Sequence, residues 1–97
     1  MADTNDNVTV DVVDGWVSAY DLLSAAKGSA VAVGTPIEIN LLSGGEIFIC
    51  IKATKPVDDR AYKTVRGYGG AIIDADASGV WIKAPYGAML LNIEETV

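Results

Sequence analysis

The sequence predicts an all-β protein: a small antiparallel β-sandwich, or jelly-roll-like fold, with seven to eight short strands. Short alternating or wholly apolar segments recur along the chain, and turns that contain glycine or proline separate them. The 97 residues suffice for one domain with a single core, since 51% of them are hydrophobic and 21% are charged. We therefore expect one β-sandwich domain over residues 8–97, preceded by a mobile N-terminal arm over residues 1–7.

The segment Ile37–Ala53 is the strongest basis for this prediction. In its first half Ile37, Ile39 and Leu41 alternate with other residues, and this period of two places them on one face of a sheet. In its second half apolar residues occupy both faces, which is typical of a strand that is covered on both sides. Gly44-Gly45 lies between the two halves and predicts a tight hairpin turn.

Upstream of this segment the pattern is less decisive. Val8–Val13 is rich in β-branched residues and predicts a strand. Trp16–Leu23 alternates like a strand, whereas Tyr20–Lys27 also suits two helical turns that end at Gly28. We favour a strand followed by a loop or a short helical turn. Ser29–Val33 then forms a short strand or an extended linker.

Downstream, three further segments have strand character. Glycines at 67, 69 and 70 follow the first of them and indicate a bulge or wide turn, and apolar character resumes at residues 71–73. The turns around Asp74–Gly79 and Pro85–Gly87 bound the second segment. The three predicted strands are Ala61–Arg66, Val80–Ala84 and Ala88–Glu94.

Composition excludes several functional classes. The chain has no histidine, which removes catalytic triads that need an imidazole and most zinc sites. Its net charge of −6, with the basic residues scattered, argues against nucleic-acid binding. No apolar run reaches the roughly 20 residues of a membrane helix, and the polar residues 1–7 do not resemble a signal peptide. We expect a protein made in the cytoplasm that contacts neither nucleic acid nor membrane.

One motif resembles a calcium loop. Asp74, Asp76, Ser78 and Gly79 match the opening of an EF-hand, but position twelve is Pro85 instead of a glutamate. The flanks also have strand character, so a β-turn stabilised by aspartate is the favoured interpretation. We expect no metal and no cofactor.

The remaining polar and reactive candidates favour structural roles. Gly67–Gly70 lacks the spacing of a phosphate loop and indicates a bulge or loop. The carboxylate pairs Asp58-Asp59 and Glu94-Glu95 are neighbours in sequence, point apart on a strand and indicate solvated charge. Cys50, the single cysteine, lies in an apolar run and indicates a buried thiol. We expect no catalytic residues and no enzymatic activity.

The aromatic residues divide between core and contact positions. Tyr68 and Tyr86 lie in glycine-containing turns and are our candidates for exposed contacts. Several strands are apolar on both faces in a chain this small, which favours burial between subunits. We therefore expect a homo-oligomer, either a trimer or a dimer.

Short motifs spread over about residues 10–95 resemble a loose family of small β-sandwich proteins from tailed bacteriophage virions. In that family a W…G…GTxxxIxN half is followed by a proline loop, GVW and a short closing strand. The matching residues here are Trp16, GTP at 34–36, IEIN at 37–40, the small-residue turn at 43–45, Pro56, DASGVW at 76–81 and LNIEE at 91–95. The segment Ala61–Ala71 departs from the pattern.

The resemblance implies a structural component of the virion, in the first place a capsid decoration or cement protein at the capsid surface. Its partners would be the major capsid protein, or another virion protein, and its own copies. A tail, collar or fibre module is also compatible with the resemblance. The N-terminal arm, with Asp3 and Asn5 as candidate interface residues, could become ordered on a neighbouring subunit. A carbohydrate-binding sandwich that uses Trp16, Tyr68 or Tyr86 for stacking is the alternative from another class.

Overall fold

A computed structural model describes residues 5–57, 62–73 and 78–96 of the chain. Within these ranges the backbone forms eight strands, one α-helix and one 3-10 turn at Val12–Asp14. The helix, α1, spans Ala19–Lys27. The strands are β1 (Val8–Val10), β2 (Val17–Ser18), β3 (Ile37–Leu41), β4 (Glu46–Ile51), β5 (Lys63–Arg66), β6 (Gly70–Ile73), β7 (Val80–Lys83) and β8 (Met89–Glu95).

The strands form two four-stranded antiparallel sheets. The first sheet has the order β1-β8-β3-β6 and the second has the order β2-β7-β4-β5. Strand one therefore pairs with eight, two with seven, three with six and four with five, as if one long hairpin had been wrapped into two layers. This is the arrangement of a jelly roll. The predicted all-β sandwich with seven to eight short strands is confirmed.

The core lies between the two sheets and is wholly apolar among the described residues. Alternate residues of each central strand point into it, with Ile37, Ile39 and Leu41 from β3 meeting Ile47 and Ile49 from β4. The helix α1 packs against β2, β7 and β8 and adds three buried side chains to the core. Besides the residues of β3 and β4, the large core side chains are Tyr20 and Leu23 from α1 and Val10, Val80, Ile82, Leu91 and Ile93 from the other strands.

The predicted hairpin between the two halves of Ile37–Ala53 is wrong. β3 pairs with β6 and β8 in the first sheet, whereas β4 pairs with β5 and β7 in the second. The residues between them carry the chain across the sandwich instead of back along the same sheet. Gly45 has a φ of 118° in this connection, so the glycine-rich turn does require a positive φ.

The preference for a strand over Trp16–Leu23 is also wrong, because only Val17–Ser18 is a strand and the helix α1 follows at once. The Ser18 hydroxyl caps this helix by accepting a hydrogen bond from the Asp21 N–H at 3.4 Å. Gly28 ends it in the left-handed conformation, with a φ of 81°. The alternative of two helical turns that end at Gly28 is therefore the one observed.

Two smaller differences concern segment ends. The first strand ends at Val10 because Asp11 caps the 3-10 turn that follows, and its side chain accepts a hydrogen bond from the Val12 N–H. Residues 29–33 contain no strand and link α1 to β3. The Ser24 hydroxyl holds this linker by accepting a hydrogen bond from the Val31 N–H at 3.0 Å.

Candidate functional site

The two sheets present outward faces of different chemistry. Because alternate residues point into the core, the intervening residues point outward. On the first sheet these outward residues are mainly polar or acidic, and we call them the acidic face: Thr9, Glu38, Asn40, Leu90, Asn92 and Glu94. On and beside the second sheet they are mainly aromatic, and we call them the aromatic face: Trp16, Phe48, Cys50, Tyr62, Trp81, Lys83 and Tyr86.

Phe48 is the centre of the aromatic face. It points outward from β4 and is nevertheless buried, because two tyrosines cover it. The ring of Tyr62 stacks on it with 4.0 Å between centroids, and Tyr86 meets it edge-on at 6.4 Å. Tyr62 and Tyr86 themselves remain 42% and 73% exposed. The face therefore consists of a buried ring under two rings that reach solvent.

The two tryptophans extend this face towards α1. Trp16 is buried, and the Lys83 ammonium lies 5.9 Å from the centroid of its ring, within the range of a cation–π contact. Trp81 donates its indole N–H to the backbone oxygen of Lys52 at 3.0 Å. Cys50 packs with these rings and is buried, so the predicted buried thiol is confirmed.

Two clefts flank the aromatic rings. One, of about 270 Å³, opens beside Tyr62 and reaches the Cys50 side of β4. The other, of about 370 Å³, lies between α1 and the tryptophans, with Asp21 and Lys55 among its lining residues. Both are shallow depressions at the edges of the aromatic face.

The acidic face is built from cross-strand pairs of like residues. Glu38 lies opposite Glu94 and Asn40 lies opposite Asn92 where β3 pairs with β8. Two carboxylates directly opposite each other repel. Each of them accepts a hydrogen bond: Glu38 from the Asn40 side-chain amide at 2.8 Å and Glu94 from the Asn5 backbone N–H at 3.1 Å.

The described part of the N-terminal arm lies alongside β8. Asn5 donates its side-chain amide to the Ile93 carbonyl oxygen at 3.1 Å. Asn92 donates to the Asn5 carbonyl oxygen at 3.2 Å and to Asn7 Oδ1 at 3.0 Å. Asn5 therefore sits beside the acidic face of its own chain. Asp3 lies outside the described residues, and the mobility of residues 1–7 stays a prediction.

The structure separates the two tyrosines that the sequence nominated as contacts. Both are exposed, Tyr68 to 79% and Tyr86 to 73%. Tyr86 belongs to the aromatic face, whereas Tyr68 borders a cleft of about 450 Å³ at the acidic face. The cleft is lined by Asn7, Asn40, Leu41, Leu42, Tyr68 and Asn92. Asn5 and Tyr68 thus fall on one side of the molecule and Tyr86 on the other.

Sequence reasoning missed Phe48 and Tyr62 as site residues. The signal was present in β4, whose outward positions hold Phe48 and Cys50 where a solvent-facing strand would carry polar residues. Coverage of β4 on both sides was predicted, and the aromatic face supplies the second cover. Which residues cover β4 depends on strand pairing. β5 pairs with β4, and Tyr62, which directly precedes β5, therefore stacks on Phe48.

The remaining predicted motifs are the glycine segment, the two carboxylate pairs and the calcium-like loop, and some of their residues lie outside the described ranges. Residues 67–69 connect β5 to β6 and so cross from the second sheet to the first. Glu94 and Glu95 both have partners instead of being solvated only, since Glu95 forms an ion pair with Lys27. Asp58, Asp59, Asp74 and Asp76 lie outside the described residues.

No family model matches this chain, and no curated protein or solved structure is significantly similar to it. Among the described residues, no helix has the length and apolar character needed to cross a membrane.

Proposed function

We propose that the protein is a non-enzymatic structural component of a tailed-bacteriophage virion, namely a capsid decoration or cement protein. It would sit at the capsid surface and stabilise the head through contacts with the major capsid protein and with its own copies. The motif resemblance at GTP (34–36), IEIN (37–40), GVW (79–81) and LNIEE (91–95) supports this role. The jelly-roll topology, which recurs in viral capsid proteins, is compatible with it.

The observation that carries the proposal is the aromatic face. Exposed tyrosines over a buried ring form the kind of anchor that dominates protein interfaces, because they bury a large apolar area with few rotatable bonds. Here Tyr62 and Tyr86 stand exposed around Phe48 on the outside of the second sheet. A decoration protein needs a rigid scaffold that presents such an anchor, and the sandwich core supplies that scaffold.

Binding to purified particles tests this function. We expect the protein to appear in virions of its phage by mass spectrometry, and to bind particles that lack it. Replacing both exposed tyrosines (Tyr62→Ala and Tyr86→Ala) should weaken particle binding at least about tenfold, since interface anchors cost about 2 kcal/mol or more when truncated.

Val13→Ala is the matched control, because Val13 is 89% exposed and lies outside both faces. This variant should bind particles like the wild type. Absence of the protein from purified virions would overturn the virion role. Undiminished binding by the double tyrosine variant would remove the aromatic face from it.

A carbohydrate-binding module is the second candidate, and the exposure of Tyr86 next to Phe48 favours it. Exposed aromatic rings also serve as stacking platforms for sugar rings. Glycan-array binding that disappears in Tyr86→Ala would support this candidate over the virion role. The protein could instead belong to the tail, the collar or a fibre of the virion. Immunogold labelling of virions would show which of these parts carries it.

A further inference from the structure

Charge is divided between the two sheets. The strands of the first sheet contain Glu38, Glu94 and Glu95 and no lysine or arginine. The strands of the second sheet contain three cations and one glutamate, namely Lys63, Arg66, Lys83 and Glu46. The strands of the two sheets thus differ in the sign of their charged residues, although the whole protein has a net charge of −6 and Asp21 of α1 lies beside the tryptophans.

Arg66 and Lys83 lie on the outward side of the second sheet, whereas Lys63 follows the alternation of Val65 and lies opposite the core-facing Ile49. Lys83 points outward from β7 beside Trp16, and Lys52 follows β4 on the same alternation as Phe48 and Cys50. Arg66 is exposed and forms an ion pair with Glu46 at 2.9 Å, so this pair adds no net charge. The aromatic face therefore has a positive rim, whereas the acidic face carries the opposed pair Glu38 and Glu94.

The two faces are also complementary in shape. Tyr86 projects from the aromatic face with 73% of its surface exposed. The acidic face has the cleft of about 450 Å³, whose walls combine Leu42 and Tyr68 with the amides of Asn40 and Asn92. A tyrosine ring is apolar with a polar tip, so it suits a cleft with apolar walls and amide groups. One face thus offers a protruding ring and the other a recess.

The area of one face is sufficient for a stable contact. The molecule measures 35 × 27 × 20 Å. A face bounded by the two longer dimensions offers on the order of 900 Å², and a standard protein interface buries about 800 Å² on each partner.

We infer that the aromatic face of one copy binds the acidic face of a second copy, so that subunits associate head to tail. Pairing of two acidic faces is disfavoured, because the Glu38 and Glu94 carboxylates would meet their own kind, and pairing of two aromatic faces would bring Lys83 against Lys83. A head-to-tail contact leaves one face of each kind open, so it continues until a ring closes or a filament grows. This inference rests on the proposed role of the aromatic face as a protein contact, and it requires no virus particle.

Charge reversal on each face, measured by sedimentation velocity of the purified protein, tests the arrangement. The first variant, Glu38→Lys with Glu94→Lys, makes both faces positive. The second, Lys52→Glu with Lys83→Glu, makes both faces negative. We expect each variant alone to lose self-association at least about tenfold, because like charges across a contact cost more than 1.4 kcal/mol. An equimolar mixture of the two should associate again, because each face then meets its opposite.

The control variant, Asp11→Lys with Asp14→Lys, makes the same change in net charge as the first variant. Asp11 caps the 3-10 turn and Asp14 ends it, and neither lies on a strand of the two sheets. This control should associate like the wild type. Association of the wild type should weaken between about 0.05 and 0.5 M salt, since screening reduces attraction between exposed charges. Far-UV circular dichroism of each variant checks the fold, and recovery in the mixture shows independently that both variants are folded.

Three outcomes would overturn the head-to-tail contact. They are a wild type that stays monomeric at about 0.1 mM in low salt, loss of association in only one of the two charge variants, or a mixture that fails to associate. The proposed function is judged separately by virion content and particle binding. A monomer that binds particles through Tyr62 and Tyr86 would refute this inference and leave the virion role standing.

Discussion

The acidic face and the aromatic face cover two similar sheets by different means. On the acidic face, amides and carboxylates form hydrogen bonds with one another and with the N-terminal residues. On the aromatic face, Phe48 and Cys50 point away from the core and are buried again by a second layer of rings. The difference teaches that the outward residues of a strand, more than the inward ones, decide the chemistry that a sheet presents at its surface.

Truncation of Phe48 should give the largest difference in stability between the two faces. Phe48→Ala removes a buried ring that stacks on Tyr62 and supports Tyr86, so we expect a loss of about 3 kcal/mol in the free energy of unfolding. Leu90→Ala is the matched substitution on the acidic face, where Leu90 is 39% exposed. It should cost less than about 1.5 kcal/mol, because much of its surface is already in water. Urea denaturation measures both values. Equal losses would mean that the aromatic face is no better packed than the acidic one.

A smaller effect should follow from the polar network of the acidic face. Asn92→Ala removes the amide that bonds to Asn5 and Asn7, and we expect a loss of about 1–2 kcal/mol. Amide hydrogen exchange should quicken at residues 5–8 first, because these bonds hold the N-terminal residues to β8. Thr9→Ala, an exposed change on the adjacent strand, should shift stability by no more than about 0.5 kcal/mol. Unaltered exchange at residues 5–8 in the Asn92 variant would show that its amide does not hold them.

The two-layer architecture could be predicted from the sequence, but the pairing of the strands and the connections between the layers could not. Alternation in β3, β7 and β8 located the inward residues, because a period of two has the same meaning wherever the strand pairs. The same property explains the wrong hairpin. A turn within one sheet and a crossing between two sheets both leave Ile39 and Ile49 facing one core, so alternation cannot distinguish them. Only the distant partners β6 and β8 decide where β3 lies.

The helix and the candidate site differ in this respect. Tyr20 and Leu23 lie three residues apart and so share a buried face only in a helix, and the caps at Ser18 and Gly28 also favour the helix. For the site, the exposure of Tyr68 and Tyr86 followed from their turns, whereas their placement on opposite sides did not. The charge division was hidden for the same reason, since Glu38 and Glu94 become neighbours only through strand pairing. The roles of Tyr68, Tyr86 and Asn5 as interface residues stay predictions.

Hydroxyl-radical footprinting of Tyr68 and Tyr86 would test most directly whether the two faces meet. Both tyrosines are exposed in the single chain and should react fully in dilute protein at high salt. In concentrated protein at low salt we expect both to become protected together, because one lines the recess and the other enters it. Protection of Tyr86 alone, or of neither tyrosine, would contradict the account.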